Sequence, residues 1–334
     1  MSTRIFYAYD SNDKLNIENL KEASKLLLSG ELVAFPTETV YGLGVDAYSD
    51  NIMKVYSAKG RPQDNPLICH IGDESQIQQC GNPSELAKKI FELFSPGPIT
   101  VVIDKSDKIS NAVTGGLSSV GVRIPENQVA REFLKICGVP VAAPSANTSK
   151  RPSPTRACDV LEDLNGKIAG IIDGGTCSVG IESTVVDARG EYPIILREGK
   201  ITRDDFLKYF DKCEFAKSSD EKVRSPGVKY QHYSPKVEMF VHFGKDNKKV
   251  ESFLLENATK KIALIGEDAF LNGISKKNNF SVFSMGTTPE EFMHNYYFFL
   301  RDLEKVCDII VMQMPFESEG LKNRCEKSCG GKFI

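Results

Sequence analysis

The chain has 334 residues, with 42 Lys plus Arg against 45 Asp plus Glu and a formal net charge of −3, a balance that excludes a globally basic nucleic-acid coat. Its 41% hydrophobic and 26% charged residues are those of an ordinary globular protein, and single cores usually stop growing at about 250–300 residues, so two domains are expected. Residues 1–10 lack the basic start, apolar run and cleavage site of a signal peptide, and no stretch approaches the roughly 18 apolar residues of a membrane span, so a cytoplasmic protein with no membrane contact is expected.

In chain order, Leu32–Pro36 reads as a short strand and Asn51–Ala58 as a helix running into the loop K-G-R-P-Q-D-N-P-L. A strand over Leu67–Ile71 precedes an amphipathic helix over Ser84–Phe94, with Ser84 as its cap. Apolar runs predict strands at Ile99–Ile103, Val120–Ile124, Val139–Ala143, Ile168–Ile172, Thr184–Val186 and Ile194–Leu196. Helices are predicted near Gln128–Ile136, Thr155–Leu164 and Thr202–Phe210. This alternation gives an α/β domain over residues 13–212 around a large mixed sheet. A polar stretch ending in S-P-G-V-K-Y-Q-H-Y-S-P makes residues 213–236 a linker. The pattern then restarts over 237–334 as a small βαβ-type domain: strands at Val237–Phe243, Lys261–Ile265, Phe280–Met285 and Ile309–Met312, helices at Asn247–Asn257 and Pro289–Lys305.

Nine cysteines at irregular spacing read as reduced thiols, and the close pair Cys325 and Cys329 has no second pair or nearby His to complete a metal site. The phosphate loops Gly-x-Gly-x-x-Gly and Gly-x4-Gly-Lys-Ser/Thr are both missing. Anion chemistry is nevertheless concentrated in several segments. Lys59 and Arg61 set a point charge and a planar fork on a backbone that Pro62 and Pro66 keep from continuing as helix, an arrangement suited to a phosphate, a carboxylate or bicarbonate. Pro36–Ala47 spends two glycines and several hydroxyls, Thr37 and Thr39 among them, on a turn where backbone approaches a ligand closely or simply turns tightly. Arg123, inside the apolar run V-G-V-R-I-P, either pairs with an internal acid or waits for a ligand carboxylate, because an unpaired buried charge is costly. A-A-P-S-A-N follows a strand and adds Ser145 and Asn147 at its C-terminal end. S-K-R-P-S-P-T adds hydroxyls, Ser153 among them, and the cations Lys150 and Arg151 before a helix whose N-terminal amides also meet an anion or are simply capped beside solvated charges, and E-S-T-V-V-D and L-R-E-G add Ser183 and Arg197. Five strand-ending loops rich in Ser, Thr, Arg or Lys favour one anion-rich pocket over separate surface accidents.

Taken in order, P-T-E-T-V-Y-G-L-G, K-G-R-P-x-x-N-P-L, V-G-V-R-I-P, A-P-S-A-N, R-P-S-P-T, S-T-V-V-D and S-P-G-V-K-Y-x-H-Y-S-P closely resemble the YrdC/Sua5 family of threonylcarbamoyl-AMP synthases, over about residues 14–315. The length resembles the two-domain Sua5 branch. The resemblance implies a twisted mixed-sheet YrdC-like catalytic domain followed by a smaller Rossmann-like α/β domain. It implies an enzyme that joins L-threonine, bicarbonate and ATP into threonylcarbamoyl-adenylate and releases pyrophosphate, with Mg²⁺ accompanying ATP and no organic cofactor. Other proteins then transfer the threonylcarbamoyl group to N6 of the adenosine at position 37 of tRNAs, and tRNA itself is a further possible partner. Carried over by motif, Thr37, His70, Arg123, Ala143 and Ser183 would line the threonine site, with Arg123 on the carboxylate. Arg61, Asn65, Ser119, Ser145, Ser153, Arg197 and Tyr230 would hold ATP, and Lys59, Arg61, Ser145 and Asn147 would stabilise the bicarbonate-derived group or the phosphates. Residues 225–235 would fold over the ATP site as a lid. Two departures stand out: Val228 where the family more often has methionine, and a C-terminus, N-R-C-E-K-S-C-G-G-K-F-I, without the expected alanine-rich final helix. Competing readings are a double-stranded RNA or tRNA-binding module and a carbamoyl-phosphate-dependent carbamoyltransferase.

Overall fold

The computed structural model describes residues 2–63, 65–217, 233–275, 280–316 and 318–334. They form two compact units, one of Met1–Ser149 with Ser153–Tyr230 and one of Lys150–Pro152 with Gln231–Ile334. The strands of the first unit are β1 (Arg4–Tyr7), β2 (Val33–Phe35), β3 (Gly42–Asp46), β4 (Ile68–His70), β5 (Gly81–Asn82), β6 (Ile99–Lys105), β7 (Ser119–Arg123), β8 (Val141–Ala143), β9 (Gly170–Asp173), β10 (Thr184–Asp187), β11 (Ile194–Arg197) and β12 (Glu214–Phe215). They hydrogen-bond in the order β1-β9-β2-β3-β8-β4-β7-β6-β10-β11-β12, with β5 added beside β6. The sheet is mixed, as expected: β4 runs parallel to β7 but antiparallel to β8, and β6 runs parallel to β10 but antiparallel to β7.

Successive residues of a strand point to opposite faces, and here both faces are covered. Ala34 and Ala142 join the larger core, together with Cys69, Val101, Val120 and Val122. Their neighbours Val33, Phe35, Val141 and Ala143 join a second core with helices Ile17–Leu28 and Gln128–Cys137. Two-sided cover explains why these strands read as unbroken apolar runs. Helix Ile17–Leu28 carried its signal weakly, since Ser24 shares its buried face with Leu20, Ala23 and Leu27, and Asn16 supplies its cap. The turn expected over Pro36–Ala47 ends sooner than its glycines implied, because Gly42–Asp46 is strand β3. Gly42 and Gly44 serve close packing there: an added Cβ would meet Ala143 Cβ at 3.3 Å and Val141 Cγ1 at 2.8 Å.

In the second unit β13 (Glu238–Phe243), β14 (Ile262–Glu267), β15 (Phe280–Gly286) and β16 (Ile309–Met314) pair in the order β13-β16-β14-β15, all parallel. Parallel neighbours need a crossover, and the helix Asp268–Gly273 between β14 and β15 supplies one that the sequence reading left out. Only Phe270 and Leu271 of its six residues are buried, too few to show a period. The C-terminus corrects a second expectation: Glu319–Cys329 is a helix without alanine, capped by the Ser318 side chain and by Gly330 in the left-handed region. Cys325 and Cys329 lie one turn apart on it as packing thiols, Cys325 Sγ 3.6 Å from Met312 Sδ. Within this unit Arg151, a cation of the S-K-R-P-S-P-T segment, forms a two-pronged pair with Glu304, and Arg301 donates to the Pro152 carbonyl. Tyr233 packs its ring 5.3 Å from that of Tyr297. No helix among the described residues is long and apolar enough to cross a membrane.

Candidate active site

Alternation along β7 sends Val120 and Val122 into the larger core and leaves Ser119, Gly121 and Arg123 on the opposite face. Neighbouring strands add to that face. Ile68 and His70 of β4 stand in register with Gly121 and Arg123, and an added Cβ on Gly121 would come within 2.9 Å of Thr100 Cγ2. Pro66, Thr100, Ser119 and Gly121 line one small cavity there. The candidate residues thus lie across a sheet face as well as at strand ends, because in a mixed sheet neighbouring strands end at opposite edges.

The P-T-E-T turn meets this face through Arg123. The Thr37 hydroxyl donates to the Val40 carbonyl at 2.7 Å and lies 2.8 Å from the Thr39 hydroxyl. Arg123 Nη1 donates to Thr39 Oγ1 at 2.7 Å, and Nη2 sits 2.7 Å from Glu38 Oε1. Arg123 therefore does pair with an internal acid, Glu38, and both residues are 3% exposed. The two charges are close but out of line: neither carboxylate oxygen of Glu38, nor Nε or Nη2 of Arg123, makes a directional hydrogen bond. The Tyr41 hydroxyl is engaged in the fold, donating to the Gly175 carbonyl at 2.7 Å, and burial holds it as a neutral phenol.

His70 is buried with Nδ1 3.1 Å from the Ile68 carbonyl and its ring edge-on to Phe35, centroids 5.7 Å apart. Burial first, and the Arg123 charge second, push its pKa down to about 3, so the imidazole is neutral. A folded-state pKa below the unfolded value of about 6.5 means the unfolded chain binds the extra proton first, so stability is lost as pH falls from about 6.5 towards 3. Between about pH 7.5 and pH 5 this group alone is expected to cost about 2 kcal/mol. Urea midpoints followed across that range should fall less steeply in His70→Gln; parallel curves for the two proteins would contradict this.

Lys59 differs from the expectation of a loop cation. It is the last residue of helix Ile52–Lys59, which Gly60 ends at φ 61°, and the lysine is 2% exposed. Its Nζ donates to the carbonyl oxygens of Ser145 and Asn147 and, at 3.3 Å, to Asn147 Oδ1. The Ser145 hydroxyl donates to the same Oδ1 at 2.6 Å, so Lys59, Ser145 and Asn147 form one cluster. Gly42 bridges to Ser145, tying that cluster to the P-T-E-T turn. Arg61 Nη2 donates to the carbonyls of Asn65 and Pro66 at 3.4 and 3.3 Å. Asn65 is 1% exposed, and neither polar atom of its amide has a hydrogen-bond partner among the described residues.

On the other flank the Ser183 and Thr100 hydroxyls lie 2.8 Å apart, and Arg197 donates to the Ser183 carbonyl at 2.9 Å. Ser153, fully buried, donates to Glu182 Oε1 at 2.6 Å. Tyr41 N–H donates to the Pro154 carbonyl and Val179 N–H to the Glu38 carbonyl, drawing both loops to the P-T-E-T turn. Tyr230 and most of the expected lid, 225–232, lie outside the described residues. Sequence reasoning passed over Glu38, Thr100 and Glu182. Glu38 stood in a quoted motif between two hydroxyls, but an acid in a pocket read as anion-binding had no assigned use.

A family model described as telomere recombination, covering Sua5, YciO and YrdC, matches residues 25–199, and one described as the C-terminal domain of threonylcarbamoyl-AMP synthase matches 201–330. The threonylcarbamoyl-AMP synthase of Pyrococcus abyssi is 37% identical over 94% of this chain and 95% of its own. That of Bacillus subtilis is 37% identical over the full length of both. The crystal structure of P. abyssi Sua5 complexed with L-threonine superposes with a TM-score of 0.91 at 35% identity, covering 99% of each chain. Sequence and fold agree along the whole length, and the chain belongs to the two-domain Sua5 branch of the YrdC/Sua5 family of threonylcarbamoyl-AMP synthases.

Proposed function

We propose that the polar sheet face and the loops around it bind L-threonine, bicarbonate and ATP and join them into threonylcarbamoyl-adenylate with release of pyrophosphate, the intermediate for threonylcarbamoylation of tRNA. The observation that carries the reading is a set of buried polar groups with unused hydrogen-bonding capacity around that face: Arg123, Glu38 and Asn65. Buried polar atoms without partners cost about 1–3 kcal/mol each, a cost that a bound substrate removes. Arg123 takes the threonine carboxylate, and Thr37, neutral His70, Ala143 and Ser183 shape the pocket around the side chain. Arg61, Asn65, Ser119, Ser145, Ser153 and Arg197 hold ATP, with Tyr230 added from the linker. Lys59, Arg61, Ser145 and Asn147 frame the bicarbonate-derived group.

No protein nucleophile is needed. The carbamate formed from threonine and bicarbonate attacks the α-phosphorus of ATP, and pyrophosphate leaves. The protein's part is alignment and stabilisation of developing charge. Mg²⁺ bound with ATP would supply positive charge against the phosphates that Arg61 and Arg197 also face; among the described residues no group of three or more His, Cys, Asp or Glu converges to hold a metal by itself. A cytoplasmic setting, where ATP and tRNA are available, and hand-over of the adenylate to separate transfer proteins follow from the same reading.

Incubation with ATP, L-threonine and labelled bicarbonate is expected to yield a labelled adenylate and one pyrophosphate for each; pyrophosphate formed without bicarbonate would overturn the reaction assigned. Asn65→Leu tests the ATP assignment. Removing an amide that has no partner is expected to leave the unfolding midpoint unchanged or raised, while the KM for ATP rises by about 10- to 100-fold. An unchanged KM would remove Asn65 from the site.

A further inference from the structure

The Glu38–Arg123 pair is an unusual thing to bury. A buried ion pair is favourable only when its remaining donors and acceptors are filled. Here both oxygens of Glu38 and two nitrogens of Arg123 are left without directional partners, although each residue is 97% enclosed. The two unfilled groups have opposite sign and lie side by side, as do the carboxylate and ammonium of an α-amino acid. We propose that Glu38 receives the ammonium group of L-threonine and takes its proton, making it a catalytic residue of carbamate formation. This rests on the assignment of the substrate carboxylate to Arg123.

The chemistry requires such a group. An ammonium nitrogen has no lone pair and cannot attack bicarbonate. Transfer of one proton from threonine's nitrogen to the Glu38 carboxylate gives a neutral amine. The amine forms an N–C bond to the bicarbonate carbon, the C–O bond to hydroxide breaks, and the hydroxide leaves as water with a second nitrogen proton. The products are the carbamate, one water and protonated Glu38, which returns its proton to solvent as the products depart. The other titratable groups beside the pair are poor acceptors. His70 is held neutral by burial and by the Arg123 charge, far below the basicity needed. Burial likewise keeps the Cys177 thiol neutral. Thr37 and Thr39 flank Glu38 and hold their hydroxyls against each other and against Arg123, which fixes the carboxylate's backbone without competing for the ammonium.

The test compares L-threonine with D-β-hydroxybutyrate, which is threonine without its amino group. Titration calorimetry on the full chain is expected to show wild type binding threonine about tenfold or more tighter than the analogue, and Glu38→Gln binding the two within about threefold. The kcat for bicarbonate-dependent pyrophosphate release should fall about 100-fold or more in Glu38→Gln. If that variant fails to fold, Glu38→Asp carries the test: its retained charge should preserve the preference for threonine, while retraction by one methylene lowers kcat about tenfold or more. A wild type without the preference, a Glu38→Gln variant that keeps it, or either variant with wild-type kcat would overturn the proposal alone. A wild type that binds L-threoninamide as tightly as L-threonine would instead overturn the Arg123 assignment, and the proposal with it.

Discussion

Arg123→Met is expected to destabilise the chain by about 3–5 kcal/mol and to cut threonine-dependent pyrophosphate release sharply, whereas Arg123→Met combined with Glu38→Met is expected to recover most of the stability and none of the activity. The single change strips the counter-charge from a carboxylate that is 3% exposed and whose oxygens make no other hydrogen bond. The double change replaces two incompletely satisfied charges by apolar groups of similar length, on a sheet face where Val102 and Val185 already line the cavity near Thr100. Stability and function should separate, because only function needs a cation for the substrate carboxylate. Loss of one buried charge-assisted contact costs about 2–5 kcal/mol, so threonine-dependent turnover is expected to fall by about 30- to 5000-fold in Arg123→Met and further in the double variant, which also lacks Glu38. Urea unfolding and a pyrophosphate assay at saturating ATP check the two halves separately. A double variant as unstable as the single one would show that the pair is not the source of the loss, and threonine-dependent turnover near the wild-type rate in Arg123→Met would dismiss Arg123 as the carboxylate ligand.

How far this site was legible in the sequence depended on whether a residue's meaning was local. Arg123 was legible as a charge inside the apolar run V-G-V-R-I-P, whereas Ser119 stood just outside that run and entered only with the family resemblance; the strand places both on one face. Why a glycine stands between them is shown only by the adjoining strand, where Gly121 clears space beside Thr100. Glu38 was not legible as Arg123's partner, since 84 residues separate even the Thr39 and Arg123 that hydrogen-bond beside it. Segment boundaries failed where side-chain pattern was thin. The short helix Asp268–Gly273 and strand β3 with its two glycines are both set by tertiary pairing rather than by propensity.

Lys59 shows the same limit and yields a sharp expectation. Read locally, a lysine ending a helix before G-R-P is a loop cation free to reach an anion. Gly60 in the left-handed region instead turns the chain away after Lys59 and leaves its side chain inside, among the carbonyls of the A-P-S-A-N segment. A cation with its Nζ on the carbonyl oxygens of Ser145 and Asn147 first of all fixes that segment, and through it the Ser145 hydroxyl and the Asn147 amide. Lys59→Met leaves those carbonyls without the ammonium, a loss of about 2–4 kcal/mol at one or two buried acceptors. Misplacement of catalytic groups by about an ångström costs about 100-fold in rate, so kcat should fall at least that far. Lys59→Arg keeps the charge, but its planar fork cannot match acceptors arranged around a tetrahedral nitrogen, so it should regain part of the stability and little of the activity. Equilibrium unfolding set beside kcat decides between the two roles of the charge. If Lys59→Met keeps the parent stability and still loses turnover, Nζ acts on the substrate rather than on the loop; if both fall together, the lysine works by holding Ser145 and Asn147 where the bicarbonate-derived group must meet them.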